Sequence, residues 1–161
     1  MAAQTRYNYF THKGMAGGIV DLAPIAVDSF INESENGVLG FGMGVVDGTV
    51  PGKFVKAPES TSDKFEGIVT NRLTTERDLE GALSLRKQAT VGVMKYGRIY
   101  VQLVHEAAPT YGAAVHMVCT GDDAGKFTTT GGMAINARFM GTNENDIAEI
   151  ELLSAPVVTG A

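Results

Sequence analysis

Residues 91–104 read VGVMKYGRIYVQLV, two alternating arms about a short centre. Val91 and Val93 alternate on one arm, and Ile99, Val101 and Leu103 alternate on another, with Lys95-Tyr96-Gly97 between them. Two alternating arms around a short turn that ends in glycine predict a β-hairpin, because glycine reaches the left-handed backbone that a three-residue loop needs at its end. The register favours the same reading. A three-residue loop sets Val93 against Ile99 and Val91 against Val101. A two-residue loop would set Val93 against Tyr100 and split the apolar face. The other face carries Gly92, Met94, Arg98, Tyr100 and Gln102, a mixed set suited to water. The stretch is therefore expected to belong to a half-buried antiparallel sheet.

The rest of the chain continues the pattern in both directions. Towards the C-terminus, Ala113 to Thr120 reads as a strand with Val115, Met117 and Cys119 inward and His116 outward. Lys126 to Thr130 is a β-prone run. Met133, Ile135, Ala137 and Phe139 alternate, as do Ala148, Ile150 and Leu152 against Glu149 and Glu151. Towards the N-terminus, Phe65 to Thr70 reads as a short strand. Val38 to Val46 reads as a strand with Leu39, Phe41, Met43 and Val45 on one face and three glycines on the other, which lets a second backbone or a bulky side chain approach closely. Ile19 to Ser29 reads as an edge strand because Pro24 cannot donate to a central ladder. Turns are marked by composition at Asn32–Gly37, Gly121–Gly125, Gly131-Gly132 and Gly141–Asn145. Thr49 to Lys64, with Pro51 and Pro58, reads as a surface loop, and Glu106 to Gly112 as another. Asn71 to Lys87 fits either a short helix or a long ordered loop: Thr75 with Asp78 and the Leu79–Leu83 spacing favour the helix, and Gly81 opposes it. Short strands at regular spacing predict an all-β fold. The expected form is an antiparallel β-barrel or a β-sandwich (jelly-roll-like) with an extended N-terminal arm and long loops. Residues 1–18 form the arm and 19–161 a single β domain.

Composition narrows the function. Glycine supplies 20 of 161 residues and proline only 5, which points to turns and close contacts rather than low complexity. The net charge of −5, with no cluster of Lys and Arg, argues against a nucleic-acid partner. No run approaches the ~18 apolar residues of a membrane span, and the N-terminal MAAQTRYNYFTHKG lacks the apolar core of a signal peptide. The single cysteine, Cys119, allows no intrachain disulfide. A soluble protein from a reducing compartment is expected.

Cys119 and His116 are three apart, and on a strand an odd offset places them on opposite faces, so Cys119 reads as a buried apolar residue. No serine stands in a nucleophile elbow. His12, His105 and His116 show no ligand spacing for zinc, and Asp122-Asp123 reads as a turn rather than a calcium loop. Glu149 and Glu151 share a strand face, but a solvated outer face explains them more simply than a glycosidase pair. The alternating glycines at 40, 42 and 44 lie inside a strand, without the strand–turn–helix context of a dinucleotide site. No catalytic, cofactor-binding or metal-binding residues are assigned, and no cofactor is expected.

The order of motifs does resemble one family. GMAGGIVD (14–21) is followed by VLGFGMGVV (38–46), then by F-x-G-I-V (65–69) and V-x-V-x-x-x-G-R-I-x-V (91–101). The chain closes with AINARF (134–139) and IAEIEL (147–152). This order is similar to that of the structural cement, or decoration, proteins of tailed-bacteriophage capsids. The resemblance implies a non-enzymatic β protein of the virion. It would bind the outside of a shell built from the major capsid protein and associate with itself as a dimer or trimer. It would clamp neighbouring capsomers and so stabilise the mature head. Arg6, Tyr7, Tyr9 and Phe10 on the arm are then the candidate oligomer or capsid contacts, since aromatic and arginine side chains are the usual interface anchors. Two other readings stay open at this stage: a head-completion or tail component, and a small-ligand-binding β-barrel.

Overall fold

The computed structural model describes residues 14–21, 23–71 and 85–153. Among these residues there is no helix. Nine strands are present: β1 (Ala26–Asn32), β2 (Gly44–Asp47), β3 (Phe54–Lys56), β4 (Phe65–Val69), β5 (Thr90–Gln102), β6 (Ala114–Met117), β7 (Phe127–Thr128), β8 (Met133–Phe139) and β9 (Ile147–Leu152). Hydrogen-bonded neighbours run β1-β3-β2-β4-β5-β9-β8-β6-β7, and β1 also pairs with β5. That extra pairing closes β1, β3, β2, β4 and β5 into a five-stranded barrel. The remaining strands form a second sheet on the far half of β5. This sheet curls back to the end of β5, where Leu103 bridges Phe127 and the Val104 N–H donates to the Phe127 carbonyl at 2.9 Å. The named pairings are antiparallel except β1 with β3, which is parallel.

The stretch expected to be a hairpin is instead one continuous strand of 13 residues. Its first half pairs with β1 (Phe30 opposite Val91, Asp28 opposite Val93) and with β4 (Ile68 opposite Met94). Its second half pairs with β9, from Gly97 opposite Leu152 to Gln102 opposite Ile147. The features read as a turn are real but mark a change of sheet. Ala26 lies opposite Tyr96 while Val27 lies opposite Met94, so Lys95 is an extra residue, a β-bulge. At Gly97 φ is +120°, and a Cβ there would fall 2.7 Å from Ile25 Cγ2. A bulge and a glycine bend carry the same local signature as a tight turn. Only the partners, supplied by distant segments, separate the two.

The bulge also switches which side chains face which core. Val91 and Val93 fill the barrel interior with Phe30, Val45, Val55 and Val69, completed by Leu39, Met43 and Leu85. Met94, and then Ile99, Val101 and Leu103, face a second core with Val115, Met117, Phe127, Phe139, Ile150 and Leu152. Val46 and Ile68, on the outside of the barrel wall, join that second core. The two cores thus share a wall, and each fully buried aliphatic or aromatic side chain contributes about 1.5–3 kcal/mol of transfer free energy.

Other segments differ from expectation in extent. The strand expected over Val38–Val46 is confined to Gly44–Asp47, and residues 38–43 form turns. The close approach expected of its glycines is present. A Cβ on Gly44 would meet the Met117 sulfur at 2.3 Å, and one on Gly42 (φ +72°) would meet the Gly17 backbone nitrogen at 2.8 Å. The loop expected over Thr49–Lys64 contains β3, with Val55 fully buried. The strand expected over Ile19–Ser29 begins only at Ala26, after Pro24, and is not an edge, since it pairs with β3 on one side and β5 on the other; Ile19 makes a separate bridge to Ile99. The uncertain helix falls largely on residues 72–84, outside the described residues.

Candidate docking surface

The second sheet turns one side to its core and the other to solvent, and the strand register sets out the solvent side in rows. Arg98 on β5 lies opposite Glu151 on β9, which lies opposite Arg138 on β8. Arg98 Nε donates to Glu151 Oε1 at 3.3 Å, and Arg138 donates to Glu151 Oε2 through Nε at 2.7 Å and Nη2 at 2.6 Å. Asp21 stands 3.5 Å from Arg98 Nη1 on the other side. Hydrogen bonds from Arg138, and then from Arg98, hold the Glu151 carboxyl below the usual carboxylate range. In the next row Tyr100 lies opposite Glu149, and burial raises both groups. In the other direction, Tyr96 and Leu153 are the residues just beyond the Gly97–Leu152 pair. They are 40% and 41% exposed.

The chain enters this face from its N-terminal side. Gly14, the first described residue, lies flat on the Tyr100 ring, where a Cβ would come within 2.1 Å of Cδ2. Residues 17–20 then run antiparallel to β5. The Gly17 N–H donates to the Tyr100 carbonyl at 2.8 Å, the Tyr100 N–H to the Gly18 carbonyl at 3.0 Å, and the Val20 N–H to the Arg98 carbonyl at 3.2 Å. The glycines allow backbone to lie against backbone: Gly17 (φ +76°) is wedged between Phe41 and Asn71. Met15 beside them is 65% exposed. The candidate contact residues Arg6, Tyr7, Tyr9 and Phe10 lie outside the described residues, which begin on this face at Gly14.

A second charged group gathers at the barrel beside the interior ring of Phe30 and was not legible in the sequence. Lys95, the bulge residue, pairs with Glu66 on β4 and with Asp28 on β1, the latter at 3.4 Å, and its ammonium sits 5.0 Å from the Phe30 ring centroid. Burial, and then the neighbouring Asp47 carboxyl, raise the Glu66 carboxyl. Asp47 Oδ1 is buried with no hydrogen-bond partner among the described residues, and Oδ2 stands 3.5 Å from Lys64 Nζ. These contacts need the bulge and the barrel closure, which no local pattern announces.

Cys119 is buried, its thiol is pushed up by burial, and its sulfur donates to the Met117 carbonyl at 3.4 Å. His116 pairs across to β8 and β7 on the opposite face of β6. Asp123 closes its turn with Lys126 at 2.8 Å. Glu149 and Glu151 serve the rows described above. Among the described residues no group of three or more His, Cys, Asp or Glu could hold a metal ion.

What the fold and this face define is a class: a small all-β protein whose outer surface offers arginine and aromatic side chains in register. Comparison with known proteins gives the family. The family model described as structural cement protein (E217 gp24/Pam3 gp6) matches residues 3–153, and the chain belongs to that family. Its role is that of a capsid decoration protein, carried on the phage capsid as part of the virion. A chain from the capsid of Myoviridae phage XM1 is similar in fold, with a TM-score of 0.70 and 18% sequence identity over 94% of this chain and 98% of that one. No curated protein matches.

Proposed function

We propose that this cement protein binds the outer surface of the capsid shell as a homodimer or homotrimer, without catalysis. Its docking surface is the outer face of β5, β9 and β8 together with the arm rooted on it. The arm is residues 1–18, fastened to the body through Gly14 to Gly18, and residues 19–161 act as one β domain. The observation that carries this reading is the seat of Gly14 on Tyr100. It sets the chain just after the segment that carries Arg6, Tyr7, Tyr9 and Phe10 beside the face that presents Tyr96, Arg98 and Arg138. Such side chains bury large area at low entropic cost and dominate interface energies. A standard interface buries ~1,600 Å². Repetition around a shell then turns a modest contact into avidity when each oligomer spans neighbouring capsomers. The net charge of −5 supports a protein partner rather than nucleic acid.

The test is occupancy on undecorated heads of the same phage. Deleting residues 1–13 is expected to lower the copies bound while the melting temperature of the free protein stays put. The charge reversals Arg98→Glu and Arg138→Glu are expected to lower occupancy further. Full occupancy by all three variants would remove the arm and this face from the interface. A monomer by light scattering, free and on heads, would remove the oligomer.

A further inference from the structure

We infer that Asn36 is a self-modification site: in the folded protein its side-chain amide is converted to a carboxylate through a cyclic imide formed with the Gly37 nitrogen. Seven asparagines occur in the chain, and Asn36 is the one followed by glycine; the others precede Tyr9, Glu33, Arg72, Ala137, Glu144 and Asp146. A side chain on the following residue obstructs attack by its backbone nitrogen. At Gly37 there is no such obstruction. Asn36 and Gly37 are both exposed, Gly37 sits at φ +78°, and nothing lies within 4 Å of the position a Cβ would take. The Gly37 N–H is loosely held, donating to the Leu85 carbonyl at 3.5 Å, at the outer limit of a hydrogen bond. The electrophile is also prepared. The Lys87 backbone N–H donates to Asn36 Oδ1 at 2.8 Å. A fixed donor on that oxygen stabilises the negative charge that develops when nitrogen adds to the carbonyl carbon.

The step balances with water alone. Solvent takes the Gly37 amide proton, the nitrogen bonds to Asn36 Cγ, and the Cγ–NH2 bond breaks with release of ammonia, which takes a proton from water. Water then opens the imide at either carbonyl, giving aspartate or isoaspartate. The net reaction consumes one water and releases one ammonia. The turn is one lip of a groove of about 850 Å³ between the barrel and the β6–β7 turn, lined by Glu33, Glu35, Lys56, Glu59 and Lys87 among others. Each conversion therefore adds a negative charge beside three carboxylates. The isoaspartate product also lengthens the backbone at the turn that ties Leu85 and Lys87 in place.

The experiment incubates the intact folded protein in mildly alkaline buffer and follows it by peptide mass spectrometry and enzymatic methyl labelling of isoaspartate. The expected result is the amide-to-acid mass shift at Asn36, ahead of the other six asparagines, with both isomers present. More acidic forms should accumulate on ion exchange and be absent from Asn36→Gln. If Asn36 stays intact in the folded protein while the urea-unfolded chain converts there, the turn protects the residue and the proposal fails. Equal conversion at several asparagines of the folded protein would also overturn it.

Discussion

The two halves of β5 teach different lessons about one strand. From Val91 to Met94 every residue is buried, because one side faces the barrel interior and the other faces the second core. From Arg98 to Gln102 burial alternates, because the outer side is wet. A strand buried on both sides reads as a continuous apolar run, and one buried on a single side reads as an alternation. Five residues apart, Val93 and Arg98 look like opposite arms of a hairpin, yet they lie on one strand serving two sheets.

Breaking this contrast should have its largest effect where both sides are dry. Met94→Ala is expected to cost about 2–5 kcal/mol in denaturant unfolding, while Arg98→Ala, half in solvent, should cost less than about 1 kcal/mol. Similar costs for the two would mean that the halves do not differ as described. Next comes the junction. A hairpin turn would accept asparagine in place of Gly97, since asparagine tolerates the left-handed region near φ +57°. At φ +120° it does not. Gly97→Asn and Gly97→Ala are expected to be equally harmful, at about 1–3 kcal/mol each, and rescue by asparagine in a thermal melt would restore the turn reading.

The pH dependence separates the two bodies more finely. Glu66, on the barrel, has a folded pKa raised above the unfolded one. Its contribution is present at low pH and lost as pH rises through the folded value. Glu151, on the outer face of the second sheet, has a lowered folded pKa. Its contribution is present above the unfolded value and lost as pH falls through the folded one. Melting temperature followed against pH should therefore flatten on its alkaline side of the carboxylate range in Glu66→Gln, and on its acidic side in Glu151→Gln. The same flattening in both variants would contradict the assignment. The smallest effect on the free protein is expected at Tyr96→Ala and Leu153→Ala, whose half-exposed side chains cover little core. Their loss should show in capsid occupancy rather than in stability.

The sequence made parts of this legible and concealed others for a physical reason. β8 and β9 have single-sided burial, so Met133–Phe139 and Ile147–Leu152 alternate plainly and end near their expected bounds. The inward Val115, Met117 and Cys119 were readable for the same cause. β5 was misread because a bulge followed by glycine has no local mark that distinguishes it from a turn. β3 was missed because a three-residue strand with one buried valine is too short to show a period. Of the candidate surface, Arg98, Tyr100 and Gln102 were legible as a wet face. Their union with Glu151 and Arg138 was not, since it depends on register between distant strands. The family resemblance rested on motif order and did not require the hairpin.

The pairing of residues 17–20 with β5 has a mechanical consequence. If the arm is held by a capsid and the body is pulled along the strand, the three backbone hydrogen bonds at Gly17, Tyr100 and Val20 are loaded together, in shear. A load applied across the strand would open them one at a time, like a zipper, at much lower force. β5 runs through both sheets, so tension entering at Tyr100 passes into the barrel wall along a covalent strand. The molecule is thus stiff along one axis and weak along another, and its orientation on an expanding or pressurised shell would decide which of the two the shell feels.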